Sequence, residues 1–289
     1  MFYLIATVVL NVIVSAVLKM FPRFGINPLQ AIVVNYCVCV PTGCIFTGSM
    51  PFNNATMSAS WLPWVVLMGL AFIAIFNLTA FCTRVSGMTT TVIASKLSLV
   101  IPVVFSIIWY HDRAGLGKIA GILLAFPAVY LTTRTPKSQQ SSSSILWPAV
   151  LFIVSGGLDT LVNYIQATFL HTAIDQSAAT IICFATAAIA GLIVLAVQAV
   201  SGNFLFEWKN LLAGICLGVP NFFSIYFLVH ALNSSSFQSS ATIPLLNISI
   251  LVVSTLAAIA FFGERAGRQR ILGLGLATIA ILLIAFGDQ

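Results

Sequence analysis

The stretch 60–83, SWLPWVVLMGLAFIAIFNLTAFCT, contains no acidic or basic residue. A helix needs about 20 predominantly apolar residues to cross the hydrocarbon core of a bilayer, and this stretch is long enough to do so. A helix also satisfies its own backbone hydrogen bonds in lipid, which an open strand does not. The stretch therefore predicts a membrane-spanning helix.

Similar apolar runs lie on both sides of this stretch, and together they predict ten spans. The predicted spans are 1–19, 28–47, 60–83, 89–110, 115–134, 145–170, 176–200, 208–231, 236–262 and 268–286. Because the connections are mostly short, the runs predict an all-α membrane protein built as a helical bundle. The first run has no basic start and no A-x-A-like cleavage site, so we expect a retained helix rather than a cleaved signal peptide.

The overall composition agrees with a lipid environment. Hydrophobic residues make up 60% of the 289 residues, charged residues make up 6%, and the mean hydropathy is +1.08. A soluble domain is typically about 45–50% apolar and about 25% charged. The composition therefore argues against a soluble enzyme, a nucleic-acid-binding protein and a disordered chain.

A polar segment divides the chain into two halves that look like repeats. The segment 135–144, TPKSQQSSSS, predicts a flexible linker between the regions 1–134 and 145–289, which hold five predicted spans each. Polar residues recur between the halves at nearly one offset. The matched sets are Thr7, Asn11 and Ser15 with Ser155, Asp159 and Asn163, and Thr91, Ser95 and Ser98 with Ser240, Pro244 and Asn247. Since five crossings leave the second half starting on the opposite side, the halves are predicted to be inverted repeats.

Short motifs connect this plan with a known family. The sequence DRAG at 112–115 precedes the fifth span, ERAG at 264–267 precedes the tenth, and FFGER at 261–265 closes the ninth. With the duplicated five-helix plan, these features resemble the drug/metabolite transporter superfamily, in particular its ten-helix EamA-like branch. The resemblance implies export or exchange of small metabolites such as amino acids. It also implies a cavity lined largely by the first, third and fourth helices of each half, without identifying a substrate or a binding residue.

The basic residues predict an orientation in the membrane. Nine of them lie near one set of helix ends, namely Lys19, Arg23, Arg84, Arg134, Lys137, Lys209, Arg265, Arg268 and Arg270. Only Arg113 and Lys118 lie near the other set. The positive-inside rule places the larger set in the cytoplasm and both termini outside. The family resemblance implies termini inside, so the two orientations stay open.

Two charged residues inside the predicted spans are the main site candidates. An ionisable residue at a helix centre costs about 2.5–3.5 kcal/mol on insertion scales, which favours a wet cavity or a partner. Asp159 is interpreted as an anchor for a substrate ammonium, a carrier of a coupling proton or a structural carboxyl. Lys96 is interpreted as a ligand for a substrate carboxylate or phosphate, a partner of Asp159 or a side chain that snorkels to the interface. A Lys96–Asp159 pair would suit a zwitterion.

Neutral polar residues complete the candidate cavity. They are Asn11, Ser15, Asn163, Asn77, Ser98, Asn247 and Tyr226. Hydrogen bonding between helices is the alternative interpretation for each of them. Pro102 and Pro244 lie inside the fourth and ninth spans, where each permits a kink that is either a hinge or a static bend.

Motifs for other functions are not found in the sequence. There is no G-x-x-x-x-G-K-[ST] motif, no metal-ligand spacing among the histidines and cysteines, and no catalytic constellation, so we expect no cofactor, no metal and no enzymatic activity. We expect a secondary active transporter or exporter of amino-acid-like or neutral solutes, working by alternating access. An uncoupled facilitator of the same fold is the alternative. The expected partners are a small-molecule substrate and the lipid of a plasma or inner membrane, with no nucleic acid; a monomer is compatible with the sequence.

Overall fold

The computed structural model describes residues 2–48, 50–109, 115–133, 145–170, 172–202, 205–234, 239–264 and 267–286. Within these ranges the regular secondary structure is α-helical, and no strand is present. The helices are α1 Phe2–Phe24, α2 Pro28–Thr47, α3 Asn54–Met57, α4 Leu62–Ser86, α5 Met88–Leu97, α6 Val100–Trp109, α7 Leu116–Thr133, α8 Leu146–Thr168, α9 Ala173–Val200, α10 Trp208–Ser234, α11 Ser239–Phe262 and α12 Arg268–Phe286. The predicted linker 135–144 lies outside the described residues.

Several helices are long and apolar enough to cross a bilayer. Among the described residues there are seven such candidates, one of which, Met88–Phe105, runs across the junction of α5 and α6. Shorter apolar stretches lie in α7, α11 and α12. The prediction of an all-α protein with apolar spans is therefore confirmed at this level.

The fourth predicted span is broken near its middle. Helix α5 ends at Leu97, and α6 begins at Val100. Pro102 has no backbone N–H to give to the Ser98 carbonyl, and its ring clashes with that carbonyl in a regular helix. The Ile101 N–H bonds the Ser98 carbonyl instead, at 2.9 Å. Pro102 thus permits the break, whereas α11 continues through Pro244.

The chain divides into two compact units, each assembled from separated segments. The first unit contains residues Met1–Lys19, Phe81–Asp159 and Phe223–Gln289. The second contains Met20–Ala80 and Thr160–Phe222. The boundaries fall inside α1, α4, α8 and α10, so these helices contribute residues to both units.

In the first unit, α7 and α12 pack along a strip of small residues. A Cβ added to Gly121 would lie 2.8 Å from the Ala280 carbonyl oxygen, so only glycine permits this approach. The strip consists of Gly121, Ala125 and Ala128 on α7 and of Gly273, Ala277 and Ala280 on α12, all of which are buried. Each α12 member lies 152 residues after its α7 counterpart.

A hydrophobic core in the same unit joins three further helices. Leu4 and Val8 of α1 pack with Met88 and Val92 of α5. Three residues of α11 complete the cluster, namely Leu246, Ile250 and Ala258. This core fixes the first half of α5 against α1 and α11.

The second unit is built around α2 and α9, which pack against each other. Glycines make close approaches here as well, since a Cβ on Gly69 would lie 2.6 Å from the Cys183 carbonyl oxygen. A Cβ added to Gly214 or to Gly218 of α10 would lie 2.7 or 2.8 Å, respectively, from a backbone carbonyl oxygen of α2. Inside this unit the buried Asn221 amide donates a 3.1 Å hydrogen bond to the Oδ1 atom of the buried Asn35.

Candidate functional site

Asp159 lies in α8, and its carboxyl contacts the broken fourth span. The Ser98 hydroxyl is 3.0 Å from Asp159 Oδ2 and 2.5 Å from the Ser95 carbonyl oxygen. A hydroxyl has one proton, so Ser98 donates to one of these two acceptors at a time. Ser98 therefore can donate to an ionised Asp159, or donate to Ser95 and accept from a protonated Asp159.

Asp159 is exposed, and its carboxyl retains the contact with Ser98. The same face of α8 continues with Asn163 and Gln166, which are exposed too. Polar residues at spacings of four and three form one stripe along a helix. Polar groups are costly against acyl chains, so an exposed polar stripe within an apolar helix favours contact with water.

Helix α8 approaches the break closely, because a glycine lies opposite it. A Cβ added to Gly156 would overlap the side chain of Ile101 in the first turn of α6. Gly157 has no atom within 4 Å of the equivalent position. Gly156 therefore sets the distance between α8 and α6 one turn before Asp159.

Lys96 lies in the last turn of α5, one residue before the helix ends at Leu97. Lys96 is half-buried, and its ammonium interacts electrostatically with the Asp159 carboxyl. Among the residues that the structure describes, ion pairs join Lys19 to Glu264 and Lys209 to Glu207, and none joins Lys96 to Asp159. The negative end of the α5 dipole favours a cation at this position. The helix break thus supplies part of the stabilisation that a charge within a span requires.

One further polar group lies beside these residues. Ser155 is one turn before Asp159 on α8, with 6% of its surface exposed. Its hydroxyl has no hydrogen-bond partner among the residues that the structure describes. An unpaired buried hydroxyl is costly, so Ser155 is available to a polar group that enters this region.

The predicted polar stripe of α1 forms hydrogen bonds along its own helix. Thr7, Asn11 and Ser15 donate to the carbonyl oxygens of Tyr3, Thr7 and Asn11 at 2.8, 2.9 and 3.0 Å. Thr7 is buried, while Asn11 and Ser15 are half-buried. Each side chain of this stripe therefore already donates one hydrogen bond within its own helix.

The remaining candidates are distributed over both units. Asn77 belongs to the second unit, where its amide donates to the Ile73 carbonyl at 2.8 Å, and Asn163 belongs to it as well. Tyr226 packs edge-on against Phe223 and Phe227 in the first unit. Asn247 is half-buried in α11. Of the predicted site residues, the structure brings Lys96, Ser98 and Asp159 together.

A second polar cluster, which the sequence did not predict, surrounds Glu264. Glu264 follows α11, and its Oε1 lies 3.0 Å from Lys19 Nζ of α1. The same carboxylate accepts from the backbone N–H groups of Met88, at 2.7 Å, and Thr89, at 3.3 Å. Helix α5 begins after Gly87, which offers no side-chain cap. That missing cap is the sequence signal that α5 needs an acceptor from elsewhere.

The environment of Glu264 favours its ionised form. Burial alone would raise the pKa of this carboxyl, but the Lys19 ammonium and the Met88 N–H outweigh burial and lower the pKa below its ordinary value of 4.5. The carboxylate is therefore a permanent negative charge at the N-terminus of α5 near neutral pH.

Comparisons with known proteins extend over the whole chain. No family model matches it. An uncharacterized protein of Haemophilus influenzae is 26% identical over 296 residues, covering 99% of this chain and 98% of that protein. A protein of known crystal structure superposes with a TM-score of 0.61 at 12% identity, covering 98% of both chains. The second similarity shows the fold alone.

Proposed function

We propose that this protein is a secondary transporter of amino-acid-like solutes, and that Asp159, Ser98 and Lys96 form its substrate site. The observation that carries the proposal is an accessible carboxyl that meets a broken helix within an apolar span. A charge is retained in such a span at a cost, which a ligand or a coupling proton justifies. Secondary transporters bind their substrates at discontinuous helices of this kind.

Opposite charges lie on the two sides of this site. The Asp159 carboxylate is suited to a substrate ammonium, and the Lys96 ammonium is suited to a substrate carboxylate. Since the two side chains attract each other without forming an ion pair, a zwitterion that enters can contact both. A multiply charged phosphate would meet one cation beside a carboxylate, and is therefore a poorer fit.

The exchangeable hydrogen bond of Ser98 supports proton coupling. Its hydroxyl is within reach of both Asp159 and the Ser95 carbonyl, so Asp159 keeps a hydrogen-bond partner whether it is ionised or protonated. A proton on Asp159 would compete with a substrate ammonium for the same oxygen atoms. That competition is the simplest way to couple solute movement to a proton gradient.

The proposed architecture comprises ten spans in two inverted five-helix repeats, of the kind found in the EamA-like branch of the drug/metabolite transporters. Two pairings support it. The fifth helices of the two halves, α7 and α12, pack together, as do their second helices, α2 and α9. The small-residue strip between α7 and α12 repeats at a single offset, as internal duplication requires. Alternating access in a plasma or inner membrane follows from such an arrangement.

An uncoupled facilitator is the second candidate function, and it is favoured if Asp159 serves only as a binding group. A flux assay distinguishes the coupled transporter from the facilitator. It uses proteoliposomes that contain the purified protein and are loaded with a radiolabelled mixture of L-amino acids. An outward or inward pH gradient is expected to change the initial flux several-fold in the coupled case. Equal flux with and without the gradient would favour the facilitator.

The variant Asp159→Ala tests the site itself. We expect it to abolish flux in the same vesicles while leaving expression and the melting temperature close to those of the wild-type protein. Glu207→Gln is the control, because Glu207 is an exposed carboxylate paired with Lys209 outside the proposed site. Full flux through Asp159→Ala would remove the basis of the proposal.

A further inference from the structure

Helix α5 carries Lys96 and Ser98 at one end and begins at Met88 at the other. Lys96 lies eight positions after Met88, a distance of about 12 Å along a helix. The direction of α5 therefore decides where Lys96 and Ser98 lie. Its first turn has no cap of its own, since Gly87 contributes no side-chain hydrogen bond.

The start of α5 is also a joint of a single residue. Gly87 alone separates α4, which ends at Ser86, from α5. Its φ of +88° lies in the region that favours glycine, and a Cβ there would approach Glu264 Oε1 to 3.0 Å. A one-residue glycine joint leaves the direction of α5 to be fixed by contacts beyond the joint.

Glu264 supplies the polar part of these contacts, beside the apolar core that Met88 and Val92 form with α1 and α11. Its carboxylate accepts two backbone N–H groups of the first turn of α5, and its position is fixed by Lys19 of α1. The Glu264 side chain is 8% exposed, so water competes weakly for these bonds. Three separate segments of the first unit are thus joined at one carboxylate.

We propose that Glu264 is a positioning residue, which caps α5 from outside and so holds Lys96 and Ser98 against Asp159. The inference rests on the proposed function only in assigning these three residues to a substrate site. Lys19 has a subordinate role: it orients the carboxylate, while the bonds to α5 do the positioning.

Swapping the charges of Lys19 and Glu264 distinguishes capping of α5 by Glu264 from ion pairing between the two side chains. The double variant Lys19→Glu/Glu264→Lys can restore the ion pair but places a cation at the positive end of the α5 dipole. If Glu264 acts as the cap, this double variant is as defective as Glu264→Gln. Lys19→Met retains the cap and is expected to be less defective, and Glu264→Asp to be intermediate.

Amide hydrogen exchange on the full-length protein in lipid nanodiscs measures the cap directly. Glu264→Gln is expected to speed exchange of residues 88–97 about tenfold or more, the effect of losing a hydrogen bond to a charged group, with little change in α7 and α12. Glu207→Gln, a control that also removes a paired carboxylate, should leave α5 unchanged. The proposal would be overturned if the double variant Lys19→Glu/Glu264→Lys restored the slow amide exchange of α5. It would also be overturned if Glu264→Gln raised amide exchange equally throughout the first unit.

Flux of the radiolabelled L-amino-acid mixture supplies the functional readout. Glu264→Gln and Glu264→Asp are expected to raise KM more than they lower kcat, because Lys96 and Ser98 are displaced from the bound solute. A merely structural role would lower the amount of active protein and leave KM unchanged, which would contradict positioning. If the wild-type protein moves no amino acid, the proposed function fails, while the exchange of residues 88–97 still decides whether Glu264 caps α5.

Discussion

Lys96 and Asp159 are charged residues in apolar helices, and the structure stabilises them in different ways. Lys96 benefits from the C-terminal end of α5, which exists only because the span is broken there. Asp159 has the Ser98 hydroxyl and an exposed surface. Each charge therefore has local support that does not require a direct ion pair with the other.

Replacing Lys96 tests its interaction with a substrate carboxylate. Lys96→Met keeps the aliphatic length of the side chain and removes the charge. We expect the KM for amino acids to rise about tenfold, the loss of one charged hydrogen bond. The KM for the corresponding amino-acid amides should change little, because they lack the carboxylate. Lys118→Met in α7 serves as the control, and equal effects on acids and amides would contradict the prediction.

Replacing Glu264 tests its contribution to stability as a function of pH. The folded-state pKa of the Glu264 carboxyl lies below the ordinary value of 4.5. As the pH falls, this carboxyl therefore takes up its proton at a higher pH in the unfolded chain than in the folded protein. The stabilisation is complete above that ordinary value and is lost as the pH falls through the folded-state pKa. Glu264→Gln should cost about 1–3 kcal/mol at pH 7. Its melting temperature should approach that of the wild-type protein near pH 4 and below; a pH-independent difference would be inconsistent with this account.

Among the elements, the broken span shows how far the sequence could predict local structure. Pro102 and Pro244 are equivalent signals in the sequence, and each permits a kink. The structure breaks the helix before Pro102 and continues α11 through Pro244. A proline removes the same hydrogen bond in both places, but neighbouring helices decide whether the chain also bends. Near Pro102 the neighbour is α8, which approaches at Gly156.

The contact between α8 and α6 can be tested with two adjacent glycines. Gly156→Ala introduces a methyl group where Ile101 lies, whereas Gly157→Ala introduces one into open space. We expect Gly156→Ala to cost about 1–3 kcal/mol by overpacking, and to reduce flux by moving Asp159 from Ser98. Gly157→Ala should be neutral or slightly stabilising, because alanine is the better helix former. Equal melting temperatures for the two variants would show that α8 does not depend on this close approach.

For the whole molecule, hydropathy predicted the helices well but could not predict how they assemble. Each predicted run contains helix, since the bilayer requires long apolar stretches whatever their neighbours. The division into units is different, because each unit takes segments from both halves of the sequence. The cap of α5 by Glu264 links residues 176 positions apart, a pairing that no local pattern encodes.

The proposed orientation of the chain can be tested together with the proposed span count. Ten spans would place both termini on one side, and the nine basic residues near one set of helix ends predict that this side is outside. An epitope tag after Gln289 should therefore react with antibody in intact cells or spheroplasts, as should a tag before Met1. If both tags react only after permeabilisation, both termini lie inside, as the family resemblance implies, and the result remains compatible with ten spans. Tags on opposite sides would require an odd number of spans, and the inverted repeat would then be untenable.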